Sequence, residues 1–454
     1  MANLSNIPAE CELPQLHEIV DDKKLSDKIE YHLSITGSNI TKITDCKINH
    51  LYYKPGGDCR LLLTANFQQP GNGSNVQQLF FGRVFQPGQA KKEFEYLRLE
   101  ELSPPQYGPP AMLIPEWETV LWAFPNDPKL PGLSQLINTE KTLAAMRKSP
   151  QDFGLKMTPV SLTAMQTKYV PGRRCGFIYD AAFDKQNGNG APEKFSVYGK
   201  AYQQEEGRKA YAIMKQIWES DAAQSGDLLL PQPYQFDEKQ SIIWQEVVPG
   251  RPLAKIAGDL DNLPEIASEI GRRLAAFHNT QLDLPQLMTL NFQIEDLRFS
   301  VEKINQTFPE YADDCNAIAK KMYDAAERLE DCSLTLVHAS FKFSHIFITN
   351  RGVVFIDFDN ANLGDPGYDI GRFIAHLYKM KANGKVAAET AEAAVTNFCN
   401  AYNRAATQPL SQQRINWFAA SHLIGSQVYK AVKRMNAKAV SKLLADARRL
   451  CYEE

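Results

Sequence analysis

A repeat in the first half of the chain constrains the fold more than any other feature of the sequence. Residues 53–67 read YKPGGDCRLLLTANF and residues 169–183 read YVPGRRCGFIYDAAF, so a Pro-Gly pair, a cysteine and a phenylalanine recur in the same order. A second match, between FFGRVFQ at 80–86 and VYGKAYQ at 197–203, follows at nearly the same offset. Matches that recur in order at a nearly constant offset indicate a duplicated structural unit.

Each copy has the pattern of a hairpin followed by a strand, a helix and a final strand. The turn-rich segments PGNGSN at 70–75 and NGNG at 187–190 predict the hairpin tips. The helices and the last strands are predicted from the remaining matched segments: 91–102 and 205–219 for the helices, TVLWAFP at 119–125 and IIWQEVVPG at 242–250 for the strands. We therefore expect two modules of β-sheet plus helix in tandem.

The remainder of the chain, from about residue 251, is predicted to be mainly helical. Apolar residues recur there at spacings that put them on one face of a helix: Ile266, Ile270, Leu274 and Phe277. The same period returns in four later segments: 311–329, 386–402, 415–432 and 439–450. One β-rich segment interrupts the helices, with apolar runs at 345–348 and 353–358.

The overall charge narrows the classes of function. Fifty basic residues stand against 53 acidic ones among 454, a formal net charge of −3. A dedicated nucleic-acid binder needs concentrated positive charge to contact phosphates, so that class is disfavoured. Residues 1–13 lack the pattern of a signal peptide, and no stretch approaches the roughly 20 apolar residues that span a bilayer. The eight cysteines are scattered and are interpreted as reduced thiols, so we expect a cytoplasmic protein without membrane or nucleic-acid partners.

The most informative stretch for chemistry is LVHASFKFSHIFITNRGVVFIDFDNANLGDPGYDIGRF at residues 336–373. It resembles the catalytic segment of the aminoglycoside and choline kinase family, which has a protein-kinase-like fold. His338 matches the first histidine of the family pattern, residues 356–358 match its Ile-Asp-Phe, and residues 364–366 with Asp369 match its Gly-Asp-Pro and following aspartate. The resemblance implies a phosphotransferase.

The resemblance extends upstream and implies a site for ATP. Lys200 resembles the lysine that holds the α- and β-phosphates of ATP in the family. Glu246, Val247 and Val248 resemble the hinge between the lobes, whose backbone meets the adenine. Taken together, the resemblance covers about residues 160–454. The partners it implies are a nucleotide and a small hydroxyl-bearing molecule.

The resemblance also implies which residues hold the metal, and two of its positions are altered here. Asp357 matches the aspartate that holds Mg²⁺ beside ATP, the cofactors expected for this family. Ser340 stands where the family has its catalytic base, and His345 stands where it has a metal-binding asparagine. A serine does not accept a proton near neutral pH without its own base. A nitrogen ligand suits zinc better than magnesium.

Asp359 is a candidate substitute for one of the missing groups. It follows Asp357 by two positions in a predicted strand, and side chains two apart on a strand point the same way. In that position it could supply a metal ligand or take over the role of the base. The alternative is a turn residue ahead of Asn360, which is the more ordinary role for an aspartate in such a segment.

The first copy of the repeat differs from the second at positions that matter for the expected site. Arg83 stands where the second copy has Lys200, and Asp58 stands where it has Arg174. Arginine keeps the charge of a lysine but not its shape and reach, so it does not preserve a phosphate contact. We therefore expect residues 1–150 to form an extra small-lobe-like module without an active site, which packs on the rest or serves a protein partner.

These observations predict an α+β, protein-kinase-like fold in three parts. The parts are a duplicated small-lobe-like module at 1–150, a kinase-like small lobe at 151–250, and a mainly helical large lobe at 251–454 with a catalytic-like β-hairpin at 336–359. The predicted function is that of a nucleotide-binding, catalytically impaired relative of the phosphotransferases. One alternative is an active ATP-dependent phosphotransferase for the hydroxyl of a small molecule, and a second is a structural or interaction module without a ligand.

Overall fold

The computed structural model describes residues 13–35, 42–53, 58–68, 75–184, 194–430 and 439–452. The chain divides into two compact units. The first comprises the residues up to 208 together with 234–246, and the second comprises 209–233 and the residues from 247 onward. The predicted division into three parts stays a prediction. The predicted hairpin tips at 70–75, apart from Asn75, and at 187–190 lie outside the described residues, as does the Pro55-Gly56 turn.

The first unit begins with an antiparallel sheet of five strands in the order β1-β2-β3-β5-β4. Its strands are β1 Lys42–Tyr53, β2 Cys59–Gln68, β3 Asn75–Val84, β4 Ala111–Ile114 and β5 Thr119–Ala123. The helices of this part are α1 Leu16–Ile19, α2 Asp22–Ile35 and α3 Ala90–Glu95. Because side chains alternate along a strand, one face of the sheet packs against α1 and α2 in an apolar core that includes Leu25, Ile29 and Phe67.

A second sheet of the first unit has the same strand order, β6-β7-β8-β10-β9. Its strands are β6 Ser161–Val170, β7 Arg174–Ala182, β8 Lys194–Tyr202, β9 Pro233–Asp237 and β10 Ile242–Glu246. The helices of this part of the chain are α4 Leu133–Ile137 and α5 Thr139–Lys148, which belong to the first unit, α6 Gln204–Trp218, which begins in the first unit and continues in the second, and α7 Asp221–Gln224, which belongs to the second. The register corresponds as well, since Cys59 pairs with Val84 in the first sheet and Cys175 pairs with Ala201 in the second.

Both sheets contain one strand more than the sequence pattern predicted. The extra strands, β4 and β9, have four and five residues. So short a run offers too little alternation to be recognised beside a helix. The predicted helix at 205–219 corresponds to α6, whereas the one at 91–102 is only α3 followed by a 3₁₀ turn at Leu99–Glu101.

A glycine directly precedes the matched cation in both sheets because the neighbouring strand leaves no room for a side chain. A Cβ atom at Gly82 would lie 2.7 Å from the side chain of Leu121 on β5. A Cβ atom at Gly199 would lie 2.7 Å from the ring of Trp244 on β10. Glycine weakens a strand and usually marks such a close approach. Packing therefore accounts for this part of the repeat.

The segment between β5 and α4 binds the hairpin turn of the second sheet. Asp127 Oδ2 accepts hydrogen bonds from the backbone N–H of Gly172, at 2.7 Å, and from the hydroxyl of Tyr169, at 2.9 Å. The N–H of Lys129 donates to its Oδ1 at 3.1 Å. Burial raises the pKa of Asp127, although these hydrogen bonds act to lower it. The buried carboxylate is satisfied by three donors and holds the turn in place.

The second unit is mainly helical. Its helices are α8 Leu253–Ile256, α9 Leu263–His278, α10 Leu290–Thr307, α11 Ala312–Ala326, α12 Gly367–Ala382, α13 Ala388–Ala405, α14 Gln412–His422 and α15 Val440–Tyr452, with a π-helical turn at Leu423–Val428 after α14. Two small sheets accompany them: β11 Arg251–Pro252 with β14 Ile346–Thr349 and β15 Gly352–Phe355, and β12 Gln286–Met288 with β13 Thr335–Val337 and β16 Asn362–Gly364.

Helix α9 illustrates why these segments form helices. Pro264 lies in its first turn, where a missing N–H costs nothing. Ile270, Leu274 and Phe277 are buried in the core of the unit, on the face that the sequence predicted. The α+β class, with antiparallel sheets followed by a mainly helical part, is confirmed.

Two further expectations concern the chain as a whole. Within the described ranges, no helix combines the length and the apolar character needed to cross a bilayer. The seven cysteines that lie within the described ranges are free thiols, and five of them are buried. Reduced, packed thiols are what the scattered cysteines of the sequence predict.

Candidate functional site

The loop that carries Ser340 is held in an uncommon backbone conformation by α12. Ala339, between His338 and Ser340, has a φ of +55°, in the left-handed region that residues other than glycine rarely adopt. Asp369 of α12 accepts hydrogen bonds from the backbone N–H groups of His338, at 2.6 Å, and Ala339, at 3.0 Å. Arg372 donates to the carbonyl oxygen of Ala339 at 2.8 Å. Such backbone persists only where its surroundings hold it, and it is common at functional sites.

Asp365 and Asp369, just before and within the first turn of α12, are hydrogen-bonded to other groups of the protein. Asp369 Oδ2 lies 3.3 Å from Nε2 of His278, whose Nδ1 lies 2.9 Å from the hydroxyl of Tyr402. Asp365 accepts a hydrogen bond from Arg414 at 2.8 Å. Burial raises the pKa of Asp365, and the charge of Arg414 acts against that rise. Both carboxylates are buried and hydrogen-bonded to groups of the protein, and Asp369 is the one that positions the loop of Ser340.

His338 ties the loop to the segment that follows β15. Its Nε2 donates to the carbonyl oxygen of Ile356 at 3.0 Å, so this nitrogen carries a proton. The N–H of Ile356 in turn donates to the carbonyl oxygen of His345 at 3.0 Å. Two histidines of the predicted catalytic segment therefore meet at Ile356, the residue before Asp357.

Asp357 and His345 contact each other directly. Nε2 of His345 lies 3.1 Å from Oδ2 of Asp357, and both side chains are largely buried. Asp357 has a φ of +69°, so it shares the left-handed conformation of Ala339. The residue at the predicted position of the metal-binding asparagine thus binds the predicted metal-binding aspartate and presents no oxygen of its own side chain.

The residues around Asp357 fit a magnesium ion in part. A single carboxylate that shares the ion with nucleotide phosphates is an ordinary arrangement for Mg²⁺. His345 offers nitrogen, which Mg²⁺ does not favour as a ligand. Across the part of the chain that the structure describes, no group of three or more His, Cys, Asp or Glu side chains is arranged to hold a metal. The carboxylate of Asp357 therefore fits a magnesium ion that a nucleotide also holds. The imidazole of His345 does not fit as a second protein ligand of that ion.

Asp359 does not lie on a strand with Asp357, contrary to the expectation from the sequence. Strand β15 ends at Phe355, short of the apolar run predicted for 353–358. Asp359 begins a turn in which the N–H of Ala361 donates to the carbonyl oxygen of Phe358 at 2.9 Å. The left-handed conformation of Asp357 ends the alternation on which a shared side-chain direction depended. The role of Asp359 as a substitute stays a prediction.

The remaining predicted residues divide between the two units. Lys200, on β8 of the first unit, has its Nζ 4.7 Å from the centroid of the Tyr202 ring, a cation–π contact. Glu246 is the last residue of β10 and of its stretch of the first unit, while Val247 and Val248 belong to the second unit. The predicted hinge thus coincides with the point in the chain where one unit gives way to the other.

The residue that corresponds to Lys200 in the first sheet is bonded to carboxylates of the protein itself. Nε of Arg83 donates to Oδ2 of Asp58 at 2.7 Å, and its Nη1 lies 3.6 Å from Glu93 on α3. The guanidinium also lies 4.5 Å from the ring of Phe85, which corresponds to the contact between Lys200 and its tyrosine. Arg83 thus lies beside an aromatic ring as Lys200 does, but the carboxylates of Asp58 and Glu93 already balance its charge.

Residues 195–409 match a family model described as APH, the phosphotransferase enzyme family. The predicted resemblance to this phosphotransferase family is confirmed. The match begins in β8 just before Lys200 and runs through Ser340, Asp357 and α12, so it includes the residues described above. Among curated proteins, no relative matches the chain.

Several solved structures are similar to this chain at low sequence identity. Aminoglycoside phosphotransferase APH(4)-Ia is 13% identical with a TM-score of 0.43, over 70% of this chain and 98% of that protein. Choline kinase from Cryptosporidium parvum Iowa II is 13% identical with a TM-score of 0.43, over 69% and 94%. A choline/ethanolamine kinase family protein from Mesorhizobium loti is 14% identical with a TM-score of 0.41, over 57% and 82%.

Sequence reasoning missed a set of basic side chains beside the loop of Ser340. Arg372, His376 and Lys379 follow one another at spacings of four and three residues, which places them on one face of α12. That spacing is visible in the sequence. The aspartates of this segment match the family pattern, whereas its basic residues match no part of that pattern.

Proposed function

We propose that the protein binds a nucleoside triphosphate with magnesium through a kinase-like site and transfers phosphate slowly or not at all. The observation that carries the proposal is the contact between His345 and Asp357, because it engages the metal-binding aspartate with a neighbouring imidazole. Nucleotide binding is supported by the family match over residues 195–409 and by the residue types kept at Lys200 and Asp357.

Slow transfer follows from the two altered positions. Ser340 occupies the position of the base, and an unassisted serine hydroxyl does not accept a proton near neutral pH. The loss of a general base typically lowers a rate by about 10²- to 10⁴-fold. Asp359 lies in a turn after Asp357, which removes the strand argument for its replacing that base.

Each remaining residue of the proposed site has a task that its chemistry allows. Asp357 would hold the ion, whose charge neutralises the nucleotide phosphates. His345 would orient the carboxylate of Asp357 through its N–H. Lys200 would contribute a positive charge to the phosphates. Glu246, Val247 and Val248 would meet the base of the nucleotide through their backbone.

We also propose that residues 1–150 contain a second copy of the small lobe that has no nucleotide site. The common strand order and the corresponding register of the two sheets support the duplication. The hydrogen bond from Arg83 to Asp58 supports the loss of a phosphate contact. Packing or a protein partner would then be the role of this copy. A cytoplasmic location is part of the proposal and is supported by the free cysteines.

The proposal is tested by thermal melting of the full chain with ATP and MgCl₂, together with an assay of ATP consumption over hydroxyl-bearing acceptors. We expect the nucleotide to stabilise the protein by about 2.7 kcal/mol at a concentration one hundred times the Kd. Asp357→Ala should abolish this effect. Asp359→Ala is the matched control, because it removes a nearby carboxylate of the turn, and it should keep the effect.

A restoring variant tests the second half of the proposal. Ser340→Asp combined with His345→Asn returns the residue types of the family, and we expect turnover to rise by about 10²-fold or more. Turnover by the unaltered chain would contradict the proposal and favour an active phosphotransferase. A folded chain that does not respond to any nucleotide would contradict it in the other direction and favour a module without a ligand.

A further inference from the structure

The hairpin turn between β6 and β7 lies against the first sheet of the same unit. A Cβ atom at Gly172, in this turn, would lie 3.4 Å from Nη1 of Arg60 on β2 and 3.6 Å from the ring of Phe81 on β3. It would also lie 3.7 Å from the side chain of Lys129, in the segment after β5. Side chains from two strands of the first sheet and from the segment that follows it therefore surround the turn.

Arg60 and Phe81 lie on the face of the first sheet that carries Arg83. Arg60 pairs directly with Arg83, and Phe81 precedes Arg83 by two residues, so the three side chains share one face. In the second sheet, Gly176 pairs with Lys200 at the corresponding position. The face that contacts the turn therefore corresponds to the face of the second sheet that carries Lys200.

The segment after β5 also has a counterpart in the second copy. Residues 124–127 follow the last residue of β5, as residues 247–250 follow the last residue of β10. The second of these segments begins with Val247 and Val248 of the predicted hinge. The hairpin turn of the second sheet thus contacts both parts of the first copy that correspond to the proposed phosphate and base contacts of a nucleotide.

Hydrogen bonds fix the turn from two sides. Oδ2 of Asp127 accepts from the backbone N–H of Gly172 at 2.7 Å and from the hydroxyl of Tyr169 at 2.9 Å. The side-chain amide of Gln203, just after β8, donates to the carbonyl oxygen of Gly172. The ring of Tyr169 also contacts that of Phe124, with centroids 5.3 Å apart. Both backbone polar groups of Gly172 are therefore bonded to the protein itself.

The turn is connected to Lys200 through the end of β8. Arg174, the first residue of β7 after the turn, pairs with Tyr202 on β8. The ring of Tyr202 lies 4.7 Å from Nζ of Lys200, and Gln203, which binds the turn, is the next residue in the chain. The position of the Tyr202 ring beside Lys200 therefore depends on the turn being held in place.

We propose that Asp127 is a positioning residue of the nucleotide site and acts through the hairpin turn on Tyr202 and Lys200. This inference rests on the proposed function, because it says how the cation of that site is held. A group that meets a ligand binds it more tightly when it is ordered beforehand, since less conformational freedom is lost on binding. The first copy then supports the second, and it receives the turn on the surface that corresponds to a nucleotide site.

Two tyrosine variants separate this role from a general loss of stability. Tyr169→Phe removes the hydroxyl that binds Asp127, and Tyr179→Phe removes the hydroxyl on β7 that donates to the carbonyl oxygen of Leu136. Each loses one hydrogen bond of the same unit, so both should lower the melting temperature. We expect only Tyr169→Phe to raise the Kd of ATP with MgCl₂, by about fivefold, in calorimetric titration of the full chain.

Asp127→Asn should have a larger effect than Tyr169→Phe. It keeps the size of the side chain but removes the charge, and its amide group cannot accept from both donors of the turn. We expect the Kd of ATP with MgCl₂ to rise by about tenfold or more. Because coupling between two sites is reciprocal, ATP with MgCl₂ should in turn slow amide hydrogen exchange at residues 169–176 of the unaltered chain.

The possible results distinguish this inference from the proposed function. Equal Kd values for the unaltered chain, Tyr169→Phe and Asp127→Asn would overturn the inference and leave nucleotide binding intact. A rise for Tyr179→Phe as large as that for Tyr169→Phe would also overturn it, because the effect would then come from lost stability. If the unaltered chain did not bind ATP, the proposed function itself would be wrong, and the inference with it.

Discussion

The two sheets of the first unit share a plan and differ in the chemistry at one corner. Their strands follow the same order, and their corresponding residues pair in the same register. In the first sheet the cation is Arg83, and the hairpin residue beside it is Asp58, which accepts its hydrogen bond. In the second sheet the cation is Lys200, and the hairpin residue at the position of Asp58 is Arg174. The sign of the hairpin charge is reversed.

This difference separates the part of the repeat that packing fixes from the part in which the charge can change. The glycines before the two cations are kept because Leu121 and Trp244 crowd them, and that constraint is the same in both sheets. Charge is free to change without affecting this packing. Asp58 satisfies the cation of the first sheet internally, and the second sheet has a basic residue, Arg174, at the corresponding position.

The largest effect is expected from breaking the contact between the two halves of the first unit. Asp127→Ala would leave the buried N–H of Gly172 and the hydroxyl of Tyr169 without their acceptor. Each such loss costs about 1–3 kcal/mol, so we expect the free energy of unfolding to fall by about 3 kcal/mol. Urea denaturation measures the change.

The control for this substitution is Asp180→Ala on β7. Asp180 is exposed and accepts a hydrogen bond from Ser196 at the surface. We expect it to change the free energy of unfolding by less than about 0.5 kcal/mol. If Asp127→Ala lowered the free energy of unfolding by no more than this control does, the second hairpin would not depend on the first half of the unit.

The next effect in size tests the functional difference between the sheets. Lys200→Ala removes a charge that we expect to face the nucleotide phosphates, and a charged hydrogen bond is worth about 2 kcal/mol, or about 30-fold in Kd. Arg83→Ala is the matched substitution in the first sheet and should leave the nucleotide Kd unchanged. Titration of each variant with ATP and MgCl₂ gives both values. Equal weakening by the two variants would mean that both sheets bind nucleotide.

Local patterns of the sequence predicted the strands of the repeat well, because these strands are specified by residues that are near one another in the chain. Pro-Gly turns, strand alternation and helical period depend on neighbours in the chain, so β2, β3, β7 and β8 were expected where they are found. Strand β15 was predicted too long, because the left-handed conformation of Asp357 interrupts an apolar run that otherwise reads as continuous. Backbone of that kind is set by surrounding contacts and not by propensity.

The candidate site was harder to predict from the sequence for the same physical reason. The resemblance to a family identified His345 and Asp357 as important, but the hydrogen bond between them depends on how a 3₁₀ turn meets the end of a strand. Arg372, His376 and Lys379 follow a helical spacing, so the sequence could at most have identified that face of α12.

The smallest effect concerns the ion pair that distinguishes the first sheet. Burial acts to raise the pKa of Asp58, but the hydrogen bond and charge of Arg83 outweigh it, and the pKa is lowered. A carboxyl whose pKa is lower in the folded state stabilises the protein above its unfolded pKa of about 4, and the contribution is lost as the pH falls through the folded value. We therefore expect Asp58→Asn to cost about 1 kcal/mol at pH 7 and clearly less near pH 3, measured by urea denaturation at both values. If Asp58→Asn lowered the free energy of unfolding equally at the two pH values, the charge of Asp58 would not stabilise the first sheet. The two sheets would then differ in packing alone.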